Sequence, residues 1–131
     1  MARKPKSIKI VLEGEFTDLN TYINVERTHR FKASALKKHE TNLVADLVGY
    51  KQVPPVNFYP VHIAFTWYTK DKRKDADNVC FSRKFLLDGL VKGGVLFDDS
   101  RKYVGGFSDT FAVDKENPRV EIVITKLSSK L

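Results

Sequence analysis

Aspartates set among lysines and arginines are the residues of this chain best suited to chemistry. The segment Lys70-Asp71-Lys72-Arg73-Lys74-Asp75-Ala76-Asp77-Asn78 places an Asp-x-Asp-Asn inside a basic tract, and Asp98-Asp99 is followed by Ser100-Arg101-Lys102. Carboxylates are hard oxygen donors of the kind that Mg²⁺ and Mn²⁺ prefer. The surrounding cations attract a polyanion. Together these types suit metal-assisted hydrolysis of a phosphodiester, in which a bound cation lowers the pKa of a water and offsets charge at phosphorus. In an extended chain Asp75 and Asp77 point to one face, while adjacent Asp98 and Asp99 point oppositely, so only one of them easily joins the pair. The competing reading is that Asp75, Asp77 and Asn78 form a turn and a helix N-cap.

Lys84 and Asp88 extend the pattern. On a helix that already includes position 77, Lys84 lies about 20° from the direction of Asp77. Lys84 and Asp88 are i,i+4 and share a face. They read either as a surface ion pair or as a phosphate-contacting lysine positioned by its neighbour. A further basic patch, Arg27, His29, Arg30, Lys32, Lys37 and Lys38, reads as a DNA-backbone surface or as a solvated helix face.

The whole chain agrees with an anionic partner. Its 131 residues suit one domain. Lys+Arg is 23 against Asp+Glu 16, a formal net charge of +7, which favours nucleic acid over an anionic membrane. With 42% hydrophobic and 11% aromatic residues the chain can build a core. The single cysteine, Cys80, excludes an internal disulfide and fits a reducing compartment. It reads as a small buried residue on a helix rather than a nucleophile. No Cys/His cluster has zinc spacing, the basic N-terminus does not read as a signal peptide, and no stretch approaches the roughly 20 apolar residues of a membrane span. A cytoplasmic location is expected.

The elements that must position these residues follow from periodicity. Residues 7–13 alternate as a strand, with Ile8, Ile10 and Leu12 on one face. Residues 18–49 read as helix in two pieces, opened by Asp18 as N-cap and stopped at Gly49, with Ala33, Leu36, Leu43, Val44 and Leu47 at helical spacing. Residues 58–68 give the strongest strand pattern, with Pro60 near its start. His62 lies on one face of that strand and is assigned no role. A helix over roughly 79–91, carrying Val79, Phe81, Phe85, Leu86, Leu87 and Leu90, ends at Gly93-Gly94. Strands over 102–113 and 119–126 are joined by the turn 114–118. The order β-α-β-α-β-β predicts a single α/β domain over 1–131, α+β-like, with a mixed, mainly antiparallel sheet and helices packed on it.

Taken in order, Asp75-Ala76-Asp77-Asn78, then Lys84-Phe85-Leu86-Leu87-Asp88-Gly89-Leu90, then Gly94-Val95-Leu96-Phe97-Asp98-Asp99 resembles the RusA family of Holliday-junction resolvases, whose pattern is D-x-D-N, a lysine, L-D-x-L, then D-D. Leu19-Asn20-Thr21-Tyr22-Ile23, Arg27 and Lys37 upstream, and Lys102-Tyr103-Val104 and Val120–Ile124 downstream, also resemble phage and prophage members. The resemblance spans nearly the whole chain. It implies a small homodimeric α/β endonuclease that uses Mg²⁺, or Mn²⁺ in its place, to nick opposing strands of a four-way DNA junction in recombination and repair. It further implies that Asp75, Asp77 and Asp99 are the metal-binding, catalytic carboxylates and Lys84 the essential lysine. Asp88, Asp98 and Asn78 would be supporting residues. Val79–Arg83 intervene before the lysine, about three residues more than in the founding type, or about 4.5 Å of helical rise; phage-type members look similar in this.

The expected function is hydrolytic, structure-selective cleavage of branched DNA by a C₂ dimer, since two active sites resolve a junction symmetrically. DNA contact is expected from Arg27, Arg30, Lys32, Lys72, Arg73, Lys74, Arg83, Arg101 and Lys102, mostly to phosphates. A non-catalytic binder of branched or single-stranded DNA, with Tyr22, Phe31, Trp67, Tyr68 and Tyr103 as stacking surfaces, is the alternative. A third reading keeps the metal chemistry but changes the substrate to flaps, forks or RNA.

Overall fold

The computed structural model describes residues 6–28 and 30–127. Four strands, β1 (Ser7–Glu13), β2 (Val61–Thr69), β3 (Val104–Val113) and β4 (Arg119–Lys126), form one sheet in the order β1-β4-β2-β3. The helices are α1 (Leu19–Thr28), α2 (Arg30–Tyr50), α3 (Ala76–Val79) and α4 (Arg83–Lys92), with a 3₁₀ turn over Cys80–Ser82 between the last two. β1 and β2 each pair antiparallel with β4, and β2 pairs parallel with β3. This is the mixed, mainly antiparallel α/β sheet and the element order that the sequence predicts. Among the described residues no helix is long and apolar enough to cross a membrane.

Alternation explains which face is covered. Val61, Ile63, Phe65 and Trp67 of β2 are buried, as are Val120, Ile122 and Ile124 of β4 and Ile10 and Leu12 of β1. The register aligns Ile63 with Ile124 and Phe65 with Ile122, so these side chains make one continuous apolar face. The intervening positions carry His62, Thr66, Glu121 and Arg119 on the other face. There His62 Nε2 lies 3.0 Å from Ser108 Oγ.

The helices cover the apolar face. Leu86 and Leu90 of α4 are fully buried between the sheet and α2. A Cβ at Gly89 would overlap Val44 Cβ, and one at Gly93 would meet Val48 Cγ2 at 2.5 Å. Contacts advance together along both helices, so α2 and α4 run parallel, and glycine lets their backbones approach. Ala33 and Val44 are buried as the periodicity of 18–49 implies, and Val48 joins them, but Leu43 is 40% exposed, because the stripe facing α4 is narrower than the apolar run.

Two boundaries differ from expectation. The second strand begins at Val61, after Pro60, which lacks the N–H a ladder needs. The helix expected from 79 begins at Ala76 and is interrupted by the 3₁₀ turn. The last two strands are joined through 114–118, yet β2 lies between them. The connection passes over the end of β2, where Asp114 N donates to Thr69 O. The parallel β2–β3 pair needs the helical crossover through α3 and α4.

Candidate nucleic-acid and catalytic site

The chemistry-bearing residues lie where β2 ends, α3 begins and the loop after α4 returns. Past Thr69 the chain turns tightly: Thr69 Oγ1 donates to Asp71 O and Arg73 N donates to Asp71 Oδ1. Asp75 then occupies the N-cap position of α3, in extended backbone conformation, and its carbonyl accepts from both Asn78 N and Val79 N. Asp77 is in the first turn of α3. The expectation that Asp75 and Asp77 share a face in extended chain is therefore corrected. The tetrapeptide nucleates a helical turn, and residues two apart on a helix do not face each other. Both are exposed.

Asn78 has a definite partner. Its Oδ1 accepts a hydrogen bond from Asn20 N at 3.0 Å, which ties α3 to the first turn of α1. Asp18 caps the same helix: its Oδ1 accepts from Thr21 N at 2.7 Å, and its other oxygen pairs with Lys74 Nζ at 2.6 Å. Burial opposes the charge on Asp18, but hydrogen bonds from Lys74 and Thr21 outweigh it and hold the carboxyl below its usual range. The same bond to Asp18 raises the Lys74 ammonium above its ordinary value. Lys74, expected on the DNA surface, is thus a strut between the α3 approach and α1. Glu40 of α2 braces this loop too, accepting from both the backbone N–H and the hydroxyl of Thr17. Glu40 has no local signal in the sequence, because its partner is 23 positions away.

Lys84 lies at the start of α4. Its Nζ is 3.0 Å from Asp88 Oδ1 and 3.2 Å from Asp99 Oδ2. The hydrogen bond to Asp88, opposed by partial burial and reinforced by Asp99, raises the pKa of Lys84. The i,i+4 pair is as the spacing implies. The approach of Asp99 depends on how its loop is held. Val95 and Leu96 are buried and donate back to Leu90 O, Phe97 N donates to Tyr59 Oη, and Tyr103 and Val104 donate to Ser100 O. The ion pairs of Lys84 are with Asp88 and Asp99, not with Asp77. The 3₁₀ turn, at 3.0 residues per turn, changes the helical phase between positions 77 and 84 that a continuous helix would keep.

The three carboxylates expected to share a cation come from two places, the start of α3 and the loop after α4. Among the described residues no group of three or more His, Cys, Asp and Glu could hold a metal ion. Asp75 and Asp77 stay with α3, Asp99 with Lys84, and Asp98 is half-buried beside it.

The expected DNA-contacting cations divide into exposed and committed groups. Arg27, Lys32, Lys72, Arg73, Arg101 and Lys102 are exposed. Arg83 is committed: its guanidinium pairs with Asp109, which also accepts from Trp67 Nε1, and it stacks on the Phe107 ring at 4.2 Å. His29 lies outside the described residues, and only the backbone of Arg30 is described. Of the aromatics expected as stacking platforms, Trp67 is 4% exposed and belongs to the core, Tyr22 packs on Phe81 and Phe85, and Tyr68 lies under Arg119. Phe31 is exposed.

No protein-family model matches this chain, and no curated protein matches it.

Proposed function

We propose that this chain is a structure-selective DNA endonuclease of the RusA type, resolving four-way junctions as a homodimer in the cytoplasm with Mg²⁺ as cofactor. The observation that supports this reading best is the meeting of Lys84, Asp88 and Asp99. Three separate pieces of the ordered motif come from a helix and a later loop, and their charged ends converge at the surface. Arg101 and Lys102 follow in the same loop, and the Lys72–Arg73 tract supplies further exposed charge for phosphates. The chain's own side chains hold an ammonium between two carboxylates, which orient it for a phosphate oxygen that takes the place of one of them. Phosphate-dominated recognition implies affinity that falls steeply with salt.

The dispersed carboxylates favour a second reading, a binder of branched DNA without cleavage. A synthetic four-way junction with Mg²⁺ separates the two on one gel. Symmetric nicking by the wild-type chain, lost in Asp77→Asn while junction binding persists, upholds the nuclease. Binding without nicking by wild type, or full cleavage by Asp77→Asn, overturns it.

A further inference from the structure

The two edges of the sheet are built differently. β1, at one edge, carries Lys9 and Glu13, each held in an ion pair, Lys9 with Glu121 and Glu13 with Lys51. Charges of this kind blunt an edge against pairing. β3, at the other edge, is longer, Val104–Val113, and contains no lysine, arginine or proline although the chain has 23 Lys+Arg. Its only charge, Asp109, is neutralised within the fold by Arg83 and accepts a hydrogen bond from Trp67 Nε1. Among the described residues β3 pairs on one side only, with β2.

The outward side of β3 can be read from the ladder. Asp114 N donates inward to Thr69 O, and Thr69 Oγ1 donates to Ala112 O. Backbone groups alternate along a strand, so the N–H and C=O of Phe107, Asp109, Phe111 and Val113 face away from β2. The side chains of these four residues lie level with Ile63, Phe65, Trp67 and Thr69 of β2, on the helix-covered face. Three of them, Phe107, Phe111 and Val113, are 46%, 42% and 46% exposed. Phe111 and Val113 also line a hollow of about 210 Å³ with Val79 and Ala76.

We propose that β3 is a self-association edge, pairing antiparallel with β3 of a second copy about a two-fold axis at Thr110. This register sets Phe107 opposite Val113 and Phe111 opposite Asp109 across the axis, leaves Thr110 opposite itself, and keeps the two Asp109 carboxylates from facing each other directly. All four outward backbone positions then find hydrogen-bond partners. The occupant is a second copy rather than DNA because the edge offers no uncommitted cation. In a chain of net charge +7, it is also a surface on which two copies meet without like-charge repulsion. The interface deepens the dimer in the functional reading and rests on that reading for its purpose alone. Its geometry stands without DNA or cation.

The test is the mass of the protein in solution by light scattering, without DNA. Wild type is expected at twice the monomer mass. Thr110→Lys and Thr110→Glu, each placing like charges opposite one another, are expected to fall to monomer, and an equimolar mixture to return to the dimer. A monomeric wild type, a Thr110→Lys variant as dimeric as wild type, or a mixture that stays monomeric overturns the proposal. If charge at 110 unfolds the chain, Thr110→Cys in a Cys80→Ser background replaces it. The two cysteines of a non-hydrogen-bonded pair have Cα atoms about 4.5 Å apart, within disulfide range. Oxidation is then expected to give a covalent dimer on a non-reducing gel, and failure to cross-link overturns the proposal. A monomer that still nicks junctions sinks the edge and leaves the nuclease standing. An inactive dimer abolished by Thr110→Lys does the reverse.

Discussion

Two neighbouring residues on α4 obey opposite rules. Gly89 is pressed against α2, where even a methyl group would overlap Val44 and Thr41 O. Asp88, one position earlier, is turned to the surface, where it holds the Lys84 ammonium beside Asp99. One face of the helix is packed to the limit and carries no ionisable group. The other is polar, half-exposed and loosely constrained. The difference teaches that stability and chemistry are separable here. Substitutions at the α2–α4 seam should act on folding, and those at the polar corner on what the protein does.

The sharpest way to break this comparison is at the seam. Gly89→Leu should destabilise by about 3 kcal/mol or more, since neither helix backbone can retreat from the added atoms; urea denaturation measures it. A variant with wild-type stability would mean that the seam is not close-packed. At the polar corner, Asp99→Asn should lower junction nicking by about a hundredfold while leaving the urea midpoint in place. Comparable losses in both measurements would erase the distinction between the two faces.

An intermediate case is Asp18, which belongs to the polar side yet is 8% exposed. Asp18→Ala removes a helix cap and the partner of Lys74, and should cost about 1 kcal/mol. The pH dependence has a definite sign. The folded carboxyl sits below the unfolded value of about 3.9, so its contribution is fully present above that pH and is lost as pH falls through the lower folded value. Acid titration of stability should therefore be shallower below about pH 4 in Asp18→Asn than in wild type. Identical slopes would show that the Lys74 and Thr21 bonds do not hold the charge.

Smaller effects sharpen the picture. Lys84→Met should change stability by less than about 1 kcal/mol, because its ion pairs are solvent-screened, yet should impair nicking. Arg73, 89% exposed with a 3.7 Å pair to Asp71, should contribute only to phosphate binding. Arg73→Ala should reduce the salt slope of junction affinity by about one, without altering preference among DNA sequences. An unchanged slope would place DNA on another surface.

Much of this protein is determined by local pattern. The alternation of Val61, Ile63, Phe65 and Trp67, the cap at Asp18, and the i,i+4 spacing of Lys84 and Asp88 each need only neighbouring residues to be read, because strand and helix periods act over a few positions. What tertiary structure alone decided lies at long separation. It put β2 between β3 and β4, brought Asp99 to Lys84, engaged Asn78 with α1 and Arg83 with Asp109, and set Asp75 and Asp77 at the start of a helix. The reason is physical. A carboxylate takes whichever cation or N–H the packed core delivers, and that delivery depends on the phase of a 3₁₀ turn and on a loop pinned by buried Val95 and Leu96, neither of which the order of charges along the chain encodes.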